Sequence, residues 1–215
     1  MTEMTLTEAV VITSWISDKD FEGLINVANN IRANVEDLIL VLITESQMKP
    51  ESMSWCPPTC SGAKPKYPYI NAVGLNQIIG KTAVANGWLD KKNDFQAWAK
   101  DFAKKKFSEQ LPYVTQYFQN NGWYKAGKAY ESATRIYLAN AASGLIFMPL
   151  TDTGTVYSGA DASANAARST IGGLKAGLNA TKAHDPIWQA SLIRLKNLGT
   201  NQMRAFLGLP AGEAL

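Results

Sequence analysis

Apolar residues return at three- and four-residue intervals through most of this chain, a periodicity that predicts a succession of amphipathic helices. Thr5 to Ser17 and Phe21 to Ile31 predict two short ones, a helical scaffold over residues 1–33. A third starts at Asn34, a suitable N-cap with Asp37 in the first turn, and runs through Val35, Leu38, Ile39, Leu40, Val41, Leu42 and Ile43 to Glu45. It is apolar almost all round and is therefore expected inside the molecule.

Between Met48 and Tyr69 the periodicity is lost. Pro50, Pro57, Pro58, Pro65 and Pro68 forbid a long helix, and Trp55, Tyr67 and Tyr69 add aromatic faces to what reads as an extended loop. Gly74 to Asn86 then predicts a helix stopped at Gly87. Asp94 to Gln110 predicts another, with Phe95, Trp98, Phe102 and Phe107 on its apolar side and Lys100, Lys104, Lys105 and Lys106 outside. Leu111 to Gln119 and Glu131 to Ala142 come next, split by the turn-forming Asn120-Asn121-Gly122.

Residues 149–185 are rich in Gly, Ala, Ser, Thr and Asp, and predict a flexible or partly helical excursion rather than core. After Asp185-Pro186, Ile187 to Leu198 and Asn201 to Leu207 close the chain as helices within 186–215. No strand pattern of comparable strength and no internal repeat is visible. The expected fold class is mainly α, a single globular domain with extended loops over residues 1–215.

Composition narrows the function. With 215 residues, 46% of them hydrophobic, the chain can bury a substantial core. A formal net charge of +3 is too small to imply nucleic acid as a partner. No apolar run approaches the roughly 18 residues of a membrane-spanning helix, so no membrane insertion is expected. Glu3, Glu8 and Asp18 with the short run Ala9 to Ile12 do not make a signal peptide. Cys56, Cys60 and the sole histidine, His184, are too few soft ligands for a zinc site, so neither metal nor cofactor is expected. The two thiols can close a small disulfide or stay reduced, and both readings stand. Nothing calls for an oligomer, and a monomer is favoured.

The candidate chemistry begins at Glu45, a carboxylate at the end of a helix that otherwise enters the core. Burial there raises a carboxyl's pKa, and a carboxyl protonated near neutrality can donate to a glycosidic oxygen. A glutamate at a helix terminus is more often the point where the chain meets solvent, so this alone does not decide. Further along, Gly74 allows close backbone approach, Gln77 offers hydrogen bonds to an N-acetyl group or hydroxyl, and Tyr137 on a later helix can orient Glu45.

The order of these pieces resembles the lytic transglycosylases and goose-type lysozymes. "ITESQMKPESMS" is similar to their Glu-Ser at the end of a buried helix, here Glu45-Ser46. "AVGLNQI" is similar to their Gly-Leu-Met-Gln turn, here Gly74, Leu75 and Gln77 with Asn76 in the Met position. "IYLANAASG" is similar to their Tyr/Asn helix, with Tyr137 three residues before Asn140 where the common pattern sets the two side by side. With "LPYVTQYF" ahead of it, that last stretch resembles lysozyme-like domains of phage particles and tail proteins. The likeness covers about residues 35–145.

The resemblance implies a lysozyme-like fold with Glu45 as catalytic acid/base and Ser46, Gly74, Leu75, Gln77, Tyr137 and Asn140 as the substrate-binding set. It implies peptidoglycan glycan strands as the partner and cleavage of the β-1,4 bond between N-acetylmuramic acid and N-acetylglucosamine. A phage enzyme carried in the virion, or held in host cytoplasm before reaching the wall, would need no signal peptide. An inverting hydrolase needs a second carboxylate facing the first at about 6.5–9.5 Å. Between Ser46 and Leu89 only Glu51 is available, with Asp152 and Asp161 distant, so the transglycosylase outcome is expected and lysozyme-type hydrolysis is the alternative. A cell-wall endopeptidase would need a metal or a nucleophile with a base, and a non-catalytic wall-binding virion protein would not need Glu45.

Overall fold

The structure, a computed structural model, describes residues 4–56, 69–91, 93–156 and 168–206. Thr5 and Glu8 form a reciprocal cap that opens α1 (Leu6–Ile12), and Ser17 with Asp20 does the same for α2 (Asp18–Ile31). Arg32 ends α2 in the left-handed region at φ 58°. At the head of α3 (Val35–Ser46), the Asn34 side chain accepts from the Glu36 N–H at 2.8 Å, as the sequence predicts. The remaining elements are β1 (Met53–Cys56), β2 (Tyr69–Val73), β3 (Ile78–Ile79), α4 (Gly80–Ala85), α5 (Phe95–Phe102), α6 (Phe107–Asn120), α7 (Gly122–Lys125), α8 (Ala133–Ala141), a 3-10 turn at Ser143–Leu145, α9 (Ile171–His184) and α10 (Pro186–Phe206).

α3 is the hub. α2, α8, α9 and α10 all pack on it, and Leu38 to Ile43 are buried without a solvent face. This is why the segment carries an almost continuous apolar run rather than a stripe. Arg194 of α10 ties the two ends of the chain together. Its buried guanidinium donates to the Thr13 hydroxyl at 2.9 Å and to the Ile16 carbonyl at 2.6 Å, and meets Asp18 at 2.6 Å. Among the described residues no helix is long and apolar enough to cross a membrane.

The structure is mainly helical, as predicted, but differs from expectation in five places. A three-stranded antiparallel sheet, ordered β1-β2-β3, occupies part of the stretch read as an extended loop and the start of the helix expected from Gly74. Its register pairs Met53 with Val73 and Val73 with Ile78. These strands are too short to show a period-two signature. The helix expected over Gly74 to Asn86 forms only from Gly80, because Gly74 at φ +82° and Gln77 at φ 50° make a tight turn instead. The Asp94 to Gln110 helix is two, since Lys106 is extended and its N–H is capped by the Glu109 carboxylate at 2.7 Å.

The fourth difference is the largest. The 149–185 stretch, expected to be an excursion outside the core, contains α9, whose Ile171, Leu174 and Leu178 are buried in the main apolar cluster. Its glycines lie against other parts of the chain: a Cβ at Gly172 would meet the Asp152 carbonyl oxygen at 3.0 Å, and one at Gly177 the Arg168 side chain at 3.6 Å. The two C-terminal helices are one, running from Pro186 through Gly199 to Phe206. A second apolar cluster, of Ile70, Val73, Ile78, Ala83, Leu89, Ala99 and Phe102, lies beneath the sheet. Ser46 hydrogen-bonds to Leu75 in the turn between β2 and β3, so the hub helix delivers Glu45 to the junction of helices and sheet.

Candidate active site

The last turn of α3 leaves the core at Thr44-Glu45-Ser46, and Gln47 and Met48 reverse the chain with φ of 54° and 57°. Glu45 is partly exposed as a residue, yet its Oε1 is sealed from solvent and has no hydrogen-bond partner among the described residues. Burial pushes its carboxyl up from the ordinary 4.5 to about 7, against the opposing pull of the Arg168 cation and a hydrogen bond from the Asn140 side chain. Near neutrality such a group is present both as acid and as base.

Three elements bring its neighbours. α8 supplies Asn140, whose Oδ1 is also buried without a partner among the described residues, and Tyr137, which is 4% exposed. α6 supplies Tyr117, whose hydroxyl is shared between the carbonyls of Ala139 at 2.9 Å and Asn140 at 2.8 Å. Burial first, then the Glu45 charge, push the Tyr117 phenol well above its usual range. Arg168 comes from the strap before α9, fixed there by the Val156 N–H on the Ser169 carbonyl at 2.7 Å. Its Nη1 donates to the Tyr137 hydroxyl at 3.0 Å, and its guanidinium carbon stands 5.5 Å from the Tyr137 ring centroid.

The turn residues form the site's frame. The Ser46 hydroxyl lies 2.8 Å from the Leu75 carbonyl and 3.0 Å from that of Leu42, so it joins the end of α3 to the β2–β3 turn. The Leu75 N–H donates to Gln110 Oε1 at 3.0 Å, and Gln110 Nε2 donates to the Pro50 carbonyl at 2.8 Å. Gly74, expected to give a sugar close backbone access, faces protein instead: a Cβ there would meet Gln110 Oε1 and Phe102 Cε1, both at 2.6 Å. Leu75 is fully buried. Gln77, expected to bind substrate through its amide, commits Nε2 to the Gly74 carbonyl at 2.9 Å and the Ser52 carbonyl at 3.3 Å. Asn76 is buried with its Nδ2 unpartnered among the described residues.

Thus Glu45 and Asn140 come together, Tyr137 is joined to them through Arg168, and Ser46, Gly74, Leu75 and Gln77 hold the turn beside them. Sequence reasoning missed Tyr117, Arg168 and Gln110. Tyr117 stands in the quoted "LPYVTQYF", where nothing local marks its hydroxyl for the Ala139 and Asn140 carbonyls; Arg168 carries no local signal at all. In the aromatic loop, Trp55 is 54% exposed and Tyr69 half-buried, while Tyr67, Cys60 and the Cys56–Cys60 pairing lie outside the described residues.

Glu51 is exposed on the turn after α3. Asp152 is exposed and paired with Lys175 at 2.7 Å, and Asp161 lies outside the described residues. Among the described residues no three His, Cys, Asp or Glu side chains gather as a metal site. Compared with known proteins, the chain matches no family model, no curated protein and no solved structure.

Proposed function

We propose that this chain is a peptidoglycan-cleaving lytic transglycosylase with a lysozyme-like fold, acting on the β-1,4 bond between N-acetylmuramic acid and N-acetylglucosamine. The observation that carries the reading is Glu45, a carboxyl at the end of the buried hub helix that burial raises to about 7 against the pull of Arg168 and Asn140. Supporting it are the Ser46 link to the Gly74–Gln77 turn and the Tyr137–Asn140 helix alongside, the three pieces in which the sequence resembles that family. Likeness to the lysozyme-like domains of phage particles makes host-wall penetration or lysis the use we assign.

Protonated Glu45 gives its proton to the glycosidic oxygen as the bond to C1 of the muramic acid breaks. The resulting carboxylate then takes the proton of that sugar's own C6 hydroxyl, whose oxygen attacks C1. A 1,6-anhydro end forms, water is not consumed, and Glu45 is again protonated. One carboxyl is enough for this route. Among the described residues the charged group acting on Glu45 is a cation, Arg168.

Glu45→Gln should fold and yet clear no peptidoglycan in a zymogram, since general acid-base catalysis is worth about 10²–10⁴-fold. Mass spectrometry of wild-type digests should find anhydro ends, and Glu51→Gln should remain active. Clearing by Glu45→Gln would end the assignment. Reducing N-acetylmuramic acid ends would transfer the enzyme to lysozyme-type hydrolysis, and free peptide termini to the endopeptidase class.

A further inference from the structure

Next to Tyr117 lies a groove of about 350 Å³ lined by Thr82, Asn86, Tyr117, Asn120, Asn121 and Phe147, with Gly144 leaving backbone open. No charged side chain lines it. Its amides are set in place rather than loose: Asn120 Nδ2 donates to Asn86 Oδ1 at 2.8 Å, Asn86 Nδ2 to the Thr82 carbonyl at 2.9 Å, and Asn121 Oδ1 accepts from the Trp123 N–H at 3.0 Å.

Phe147 is 56% exposed, and its backbone is held on both sides. The carbonyls on both sides of it, Ile146 and Met148, accept from Nη1 of the buried Arg135, the latter at 2.9 Å. Arg135 is itself held by Glu131 at 2.9 Å and lies 4.2 Å from the Trp123 ring centroid. Trp123 in turn backs Phe147 at 5.4 Å between centroids. A solvent-facing ring on so rigid a mount is preorganised for a flat ligand.

We propose that this groove is a glycan subsite, in which Phe147 stacks on a pyranose face and the Asn86 and Asn120 amides hydrogen-bond the hydroxyl and N-acetyl groups of a neutral N-acetylhexosamine chain, while Asn121, its amide engaged by the Trp123 N–H and the Ala139 carbonyl, frames the groove. The lining itself is uncharged, which suits the neutral glycan backbone, and Lys128 Nζ stands outside it, 6.0 Å from the Phe147 ring centroid. Tyr117 forms one wall of the groove, its hydroxyl donates to the Asn140 carbonyl and its phenol feels the Glu45 charge, so the groove borders the Glu45 site. The inference rests on the glycosidase reading for its meaning, but its test does not.

Tri-N-acetylchitotriose is titrated into the Glu45→Gln variant and followed by NMR and calorimetry, so that turnover plays no part. Binding should shift the side-chain amides of Asn86 and Asn120 and the Phe147 ring, and Phe147→Ala on the same background should weaken affinity roughly tenfold. Asn120→Ala should weaken it as well, while cellotriose, without N-acetyl groups, should bind less tightly than chitotriose. Unchanged affinity in Phe147→Ala, or shifts confined to residues elsewhere, overturns the subsite. If the groove responds but Glu45→Gln still clears peptidoglycan, the subsite stands and the Glu45 assignment falls. If clearing depends on Glu45 but the groove stays silent, the reverse holds.

Discussion

Glu45 carries a conflict between stability and chemistry. Its carboxyl is raised from 4.5 to about 7, so the folded chain holds the proton more tightly than the unfolded chain does. The stability this confers is fully present below pH about 4.5 and is lost as pH rises through about 7. Glu45→Gln removes the buried anion, and at pH 8 it should stabilise the fold by at most about 3 kcal/mol, a gain that vanishes near pH 4.5. Denaturant curves at the two pH values check this, and a difference independent of pH would refute it. Arg168 acts in the opposite sense to burial, pulling the same carboxyl down. Arg168→Gln should therefore move the high-pH limb of kcat/KM, where the acid form is lost, to higher pH. A limb that stays put or moves down would remove Arg168 from the site.

At the scale of elements, the turn between β2 and β3 shows what a motif does before it meets any ligand. Gly74 is required twice, by its φ of +82° and by the Gln110 and Phe102 atoms that fill the space a side chain would need. Gly74→Ala should destabilise the fold by about 1–3 kcal/mol through strain and clash. Gln110→Ala, which leaves the Leu75 N–H and the Pro50 carbonyl without partners, should cost a similar ~1–3 kcal/mol. Thermal unfolding measures both, and near-neutral values would mean the turn is not built on Gln110. The hub helix and its Asn34 cap were legible in the sequence because a run from Leu38 to Ile43 leaves few other structures open. The turn was not: Gly74 and Gln77 sit in a stretch whose apolar spacing fits a helix, and only their left-handed backbone, fixed by contacts with distant Gln110 and Ser52, makes it a hairpin. Gln110 and Arg168 were invisible for the same reason, since their roles exist only across the fold.

At the scale of the whole molecule, the three motif-bearing stretches end before residue 145, yet the hub helix is covered from the other side by the C-terminal third of the chain. α9 and α10 supply Ile171, Leu174, Leu178, Ile187, Trp188 and Leu198 to the main cluster, and both pack on α3. Arg194 fastens α10 to the loop after α1, and Arg168 reaches the Tyr137 hydroxyl. Without these elements one face of Leu38–Ile43 would lie open to water, and Glu45 would lose part of the burial that raises its carboxyl. Leu174→Ala should thus cost about 2–5 kcal/mol, the range for a fully buried leucine, where an excursion outside the core would give a change near zero. The sharper test is a chain cut after residue 149, which keeps Glu45, the Gly74–Gln77 turn and the Tyr137–Asn140 helix intact in sequence. It should show no cooperative unfolding transition in urea and clear no peptidoglycan. A cut chain that unfolds cooperatively and still lyses the wall would make the C-terminal third an appendage, and would return the site to the motifs alone.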